Sequence, residues 1–232
     1  MKNLILLLLV SFLSVPLFSQ DNLCESSYMP FNKGVKLEYT NYNAKGKETG
    51  RQEQNVSQLT AIDDGFKATI EFTVFDAKGK EVSSGGSFDI ECQDGTVKMD
   101  MSKMINPELL ESYNNMDAEI TGENIQFPNN PKEGQSLPDG TMDIKASMGG
   151  IGSMNTSIRM VNRKVEGFEK VTTPAGTYDC VKISQETEMK MMGINRSSKS
   201  VNWLAKGIGT VKTENYNAKG KLESSMLLTR LE

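Results

Sequence analysis

A chain of 232 residues, 37% hydrophobic and 24% charged, has the balance of a folded globular protein. That balance excludes a disordered tail, a collagen-like rod and a protein of many membrane spans. There is no histidine, so Ser-His-Asp and Cys-His nucleophile systems, His-ligated zinc and the usual neutral-pH proton shuttle lie outside its chemistry.

The chain opens with Met1-Lys2 and an apolar run from Leu4 to Val15, ended by Pro16 and Ser19-Gln20-Asp21. A charged start followed by a short apolar core is the form of a secretory leader, and a spanning helix would need about 20 apolar residues. We read residues 1–20 as the leader, with cleavage near Ser19 or Gln20, and 21–232 as one β-rich domain without a transmembrane segment. Cys24 follows Asp21-Asn22-Leu23, with no small residue before it, which argues against a lipid-modified cysteine. The expected location is periplasmic or secreted. Loss of Lys2 with the leader takes the net charge from −4 to −5. An acidic surface disfavours nucleic-acid binding, which needs clustered cations to displace phosphate counterions.

Three cysteines in an oxidising compartment allow one bridge and one spare thiol. Cys92 ends an alternating segment just before the turn Gln93-Asp94-Gly95, within reach of a flexible N-terminal stretch carrying Cys24. The expected bridge is Cys24–Cys92, against Cys24–Cys180 and Cys92–Cys180. Closing so long a loop contributes roughly 4 kcal/mol by chain entropy.

From Phe66 to Val74, apolar Phe66, Ala68, Ile70, Phe72 and Val74 alternate with Lys67, Thr69, Glu71 and Thr73, the period of a half-buried strand. The same period runs through Ser87 to Cys92, Met154 to Met160 and Thr177 to Met191. In the last of these, Val181, Ile183, Met189 and Met191 share a face. A loop occurs three times: Asn43-Ala44-Lys45-Gly46-Lys47, Asp76-Ala77-Lys78-Gly79-Lys80 and Asn217-Ala218-Lys219-Gly220-Lys221. Each side-chain oxygen can accept from the backbone two residues on, and each glycine supplies a positive φ, so these are hairpin tips. The plain reading of their six lysines is that they keep hairpins soluble and unpaired with neighbours. The alternative is one cationic rim for an anionic partner.

Asn106-Pro107-Glu108 starts a short predicted helix, 107–114, that could plug the concave side of the sheet. A loop-rich stretch follows, from Phe127 to Gly140. Next, Arg163 to Cys180 reads as a strand, a tight turn at Gly167, a short strand, and a reversal at Thr173-Pro174-Ala175-Gly176. Cys180 alternates away from Val181 and Ile183, so either another segment covers its face or it is the bridged residue.

The run Thr172-Thr173-Pro174-Ala175-Gly176-Thr177-Tyr178-Asp179-Cys180, the stretch Trp203-Leu204-Ala205-Lys206-Gly207-Ile208-Gly209-Thr210-Val211-Lys212, the closing hairpin from Tyr216 to Leu222, and Cys24 to Tyr39 with Pro30, Gly34 and Glu38 resemble an exported bacterial family. It is classed as domain of unknown function 3108-like, and the likeness spans nearly the whole mature chain. These motifs are turns and strands, so the resemblance implies an envelope-located antiparallel β protein, related in shape to the open half-barrels of lipoprotein carriers. It supplies no catalytic residue. The expected fold is all-β, mainly antiparallel: a large curved sheet forming a half-barrel, barrel or sandwich with one short helix.

Fourteen methionines stand out against nine phenylalanines and one tryptophan. Thioethers fill irregular apolar space, either as plain core or as the lining of a deformable cavity. The candidate lining is Met99, Met101, Met104, Leu109, Leu110, Tyr113, Met189 and Met191. A Cu(I) site built on the same methionines is disfavoured, because Met191 and Met192 point to opposite faces and no histidine completes it. The carboxylates mostly alternate with apolar residues, and no pair has the facing arrangement of a glycosidase. No enzyme, cofactor or metal is expected. The candidate partners are an apolar small molecule or lipid; the alternative is a structural or interaction module meeting an envelope protein.

Overall fold

The structure, a computed structural model, describes residues 24, 26–63, 65–104, 118–147 and 153–232. In chain order the strands are β1 (Lys36–Asn43), β2 (Glu48–Ile62), β3 (Gly65–Asp76), β4 (Glu81–Gln93), β5 (Thr96–Met99), β6 (Glu119–Glu123), β7 (Ile125–Pro128), β8 (Gly140–Ser147), β9 (Ser153–Thr173), β10 (Gly176–Met191), β11 (Ile194–Ala205), β12 (Gly209–Asn217) and β13 (Leu222–Leu231). A single 3₁₀ turn, Met101–Met104, follows β5. All thirteen strands belong to one sheet, in the order β6-β8-β9-β10-β11-β12-β13-β1-β2-β3-β4-β5-β7. Every strand pairing is antiparallel. The predicted helix 107–114 and the leader lie outside the described residues.

The three repeated loops form identical tips. Asn43 Oδ1 accepts from the amides of Lys45 and Lys47, Asp76 Oδ1 from those of Lys78 and Lys80, and Asn217 Oδ1 from those of Lys219 and Lys221. Gly46, Gly79 and Gly220 take φ of 74°, 78° and 75°, the left-handed region where a Cβ is costly. Asp94 and Gly95, both with positive φ, make the two-residue turn from β4 to β5.

One expectation needs correction. Gly167 does not turn the chain: β9 runs unbroken from Ser153 to Thr173, and Gly167 sits beside a bulge opposite Lys182 and Ile183. A bulge absorbs one extra residue in a paired strand and sharpens its bend. Both irregularities of the β9–β10 pairing therefore curve the sheet without ending the strand. The reversal comes at Pro174-Ala175, between the paired Thr173 and Gly176.

The curvature nearly closes the sheet into a barrel. Edge strand β7 contributes Phe127 to a cluster with Val165 of β9, Val181 and Ile183 of β10 and Leu204 of β11. Arg163, 5% exposed, donates from Nη1 to the carbonyls of Gln126 on β7 and Pro138 before β8, spanning the seam. Burial lowers its pKa, and Asp139 opposes that effect. At Gly140 an added Cβ would stand 2.9 Å from Ile125 Cγ1 and 3.0 Å from Met101 Sδ, so glycine lets β7 approach β8.

Cys24 and residues 26–31 fold back against the concave side. The Ser27 carbonyl accepts from the Gly207 amide at 2.7 Å, and Tyr28 meets Phe127 edge-on at 5.6 Å. Phe31 packs with Val56, Ile70, Ile90 and Val97. The Cys24–Cys92 disulfide fastens this segment to β4, as the sequence leads one to expect.

Candidate functional site

An apolar cavity of about 360 Å³ lies between the N-terminal segment and the concave face. Its wall follows from the two-residue period. Leu37 and Tyr39 of β1 pair with Gln54 and Gln52 of β2, Gln54 pairs with Phe72 of β3, Ile70 with Phe88 of β4, and Ile90 with Met99 of β5. All nine side chains line the cavity. Met29 and Pro30 cover it from the N-terminal side, and Ile208, Thr210 and Met226 close it on the β12–β13 side. Most of this wall is aliphatic, aromatic or thioether; Gln52, Gln54 and Thr210 are its polar groups. Phe72, Phe88, Met99 and Met226 are only half-buried, so the space is reachable from solvent.

Of the methionines singled out in the sequence, Met99 lines this cavity. Met101 is buried elsewhere, in a cluster with Met142, Ile144 and Ala146, beside a separate hollow near β6 and β8. Met104 ends the 3₁₀ turn, and Leu109, Leu110 and Tyr113 lie outside the described residues. Met189 and Met191 are on the face of β10 that carries Val181 and Ile183, but near the far tip of the β10–β11 hairpin, where Met191 is exposed. The cavity residues not singled out, Phe72 and Phe88 above all, carry a legible signal: they belong to the inward sets of the Phe66–Val74 and Ser87–Cys92 alternations. Nothing in the sequence around Met29 or Met226 signals that those side chains line one cavity.

Chemically the site offers burial and shape. Cys180 is a free thiol packed with Trp203, Ala205 and Val211, and burial, with Asp179 and Glu169 adding, pushes it up to about 11. A thiol so raised is protonated and unreactive at neutral pH. Trp203 Nε1 donates to Glu169, while Lys182 and Lys212 stand 5.1 and 4.5 Å from its ring. Among the described residues no group of three His, Cys, Asp or Glu side chains is placed to hold a metal. No helix among them is long and apolar enough to cross a membrane.

A nearly closed antiparallel barrel, stoppered by a disulfide-pinned N-terminal segment over an apolar hollow, defines the class of protein. The chain belongs to the DUF3108-like family, whose model matches residues 32–228. A Bacteroides fragilis protein described as exported, with a YmcC-like fold, is 26% identical, with 89% of this chain and 99% of that one covered and a TM-score of 0.70. A Parabacteroides distasonis protein described as a lipoprotein shares the fold at 20% identity, covering 90% and 99%, with a TM-score of 0.72. Comparison with curated proteins finds no match. Like the B. fragilis protein, this chain is exported.

Proposed function

We propose that the protein binds and carries an apolar ligand in the cell envelope. The observation that carries this reading is the cavity of about 360 Å³ with its apolar lining and few polar groups. A well-packed β core leaves few voids larger than a water molecule. Small-molecule sites are instead concave, mostly apolar and about 300–1,000 Å³ in volume. The space suits one small apolar molecule or part of one acyl chain, with Gln52, Gln54 or Thr210 meeting a polar end. Met29, Met99 and Met226 add side chains that re-pack around different guests.

Filling the space is the direct test. Met226→Trp enlarges a half-buried wall residue without touching the sheet pairing. The expected outcome is at least a tenfold loss of affinity for an environment-sensitive apolar dye, equivalent to about 1.4 kcal/mol, with the thermal midpoint unchanged or raised. Unaltered dye binding in a folded Met226→Trp protein contradicts the proposal and favours a structural or interaction module of the envelope.

A further inference from the structure

The sheet order places four hairpin tips at one end of the barrel. Strands β10 to β13 and β1 to β4 are consecutive in the sheet and alternate in direction. The turns β10–β11, β12–β13, β1–β2 and β3–β4 therefore all emerge on the same side. Three of them are the Ala-Lys-Gly-Lys loops, so Lys45, Lys47, Lys78, Lys80, Lys219 and Lys221, all exposed, line this rim. The registers keep the three tips nearly level: Asn43 is opposite Ser224, and Asn41 is opposite Gly50, which is opposite Asp76.

Guarding a sheet edge does not account for these lysines. They stand in the loops joining β12 to β13, β1 to β2 and β3 to β4, strands that are each paired on both sides, whereas the true edges are β6 and β7. Glu48, Glu81 and Glu223 stand behind the tips and reduce the positive charge without cancelling it. The Asp76 carboxylate is engaged with the Lys78 and Lys80 amides. Described turns at the opposite end carry Asp63 and Asp94 with Lys33 and Lys206, and so no excess of positive charge. An acidic chain thus concentrates cations at one end.

The fourth tip is apolar. Along β11, Ser198 is level with Asn217, so the β10–β11 hairpin runs on for five residues to Gly193, roughly 17 Å along the strand at about 3.3 Å each. At its end Met192 is 69% exposed and Ile194 55%, with Lys190 and Arg196 beside them. Val82, 58% exposed, lies next to the β3–β4 tip. Most of the large hydrophobic side chains exposed among the described residues therefore share the rim with the lysines. Apolar fingertips ringed by flexible cations match an anionic bilayer, where ammonium groups meet phosphate and apolar tips enter the headgroup layer. An acidic protein surface would satisfy the charge but leave Met192 and Ile194 unexplained.

We propose that this rim docks the protein on an anionic lipid bilayer, with the Met191–Ile194 tip inserted and the three lysine tips against the headgroups. The inference does not depend on the cavity being occupied. Flotation of the exported protein with vesicles of phosphatidylcholine alone, or mixed equally with phosphatidylglycerol, tests it. The expected result is association with the mixed vesicles only, weakened by high salt. Replacing all six lysines by Gln weakens it by roughly tenfold or more, because each cation near such a surface contributes. The turns of that variant persist, since they are held by Asn43, Asp76 and Asn217 to backbone amides. Met192→Gln with Ile194→Gln weakens it independently, and Lys33→Gln with Lys206→Gln, at the other end, leaves it unchanged. Equal binding to both vesicle types, an unaffected six-lysine variant, or self-association through the rim in place of vesicle binding overturns the proposal.

Discussion

Arg163 shows how one side chain holds a closure that strand pairing leaves open. Its guanidinium is the donor for two backbone carbonyls on opposite sides of the seam, those of Gln126 and Pro138. A hydrogen bond to a charged group contributes about 1.5–3 kcal/mol, and both of these are partly buried. Arg163→Met is therefore expected to lower stability by about 3 kcal/mol, read from the urea midpoint at unchanged far-ultraviolet signal. Glu169 gives a pH signature. The Trp203 indole N–H, with Lys182 beside it, holds this carboxyl below its usual range. A depressed folded-state pKa contributes stability that is full above the unfolded value of about 4.3 and is lost as the pH falls through the folded value. As the pH falls below the ordinary carboxylate range, Trp203 fluorescence should change, and Glu169→Gln should remove that transition while leaving other acid-linked changes in place.

At the scale of elements, local chemistry was legible and long-range assembly was not. The three Asx-anchored tips follow from five-residue strings, because the side-chain oxygen, the turn and the positive-φ glycine all lie within one loop. The inward sets of β3 and β4 follow from a strict two-residue alternation. Where partners are distant in sequence the signal vanishes. Gly167 looks like a turn in isolation and is a bulge only because β10 continues alongside it. Met189 and Met191 keep the predicted face but lie beyond the core, since alternation gives the side of a strand and not how far along the barrel it reaches. The N-terminal segment is the element whose attachment is easiest to test. Reducing Cys24–Cys92, which closes a loop of sequence separation 68, should cost about 2–5 kcal/mol. It should also expose Met29 and Phe31 to proteolysis and oxidation ahead of global unfolding, which limited proteolysis with mass spectrometry would detect.

For the whole molecule, β7 packs beside β8 and β9 across the seam, and Met29 and Pro30 lie over the concave face near β12 and β13. The hollow exists because a wide sheet curls around a short segment that fills only part of its inner space. That geometry cannot be read from one sequence: it needs the sheet order, the two bulges of the β9–β10 pairing and Gly140 together. The inward lining, by contrast, was written in the alternation, which is why Phe72, Phe88 and Met99 meet across neighbouring strands. The carrier reading rests on this space accepting a guest in the envelope. Native mass spectrometry of the protein purified from its own export compartment without detergent measures that directly. The account predicts a population carrying one apolar molecule, released by organic extraction and absent in Met226→Trp. A single ligand-free mass, with nothing apolar in the extract, would contradict it.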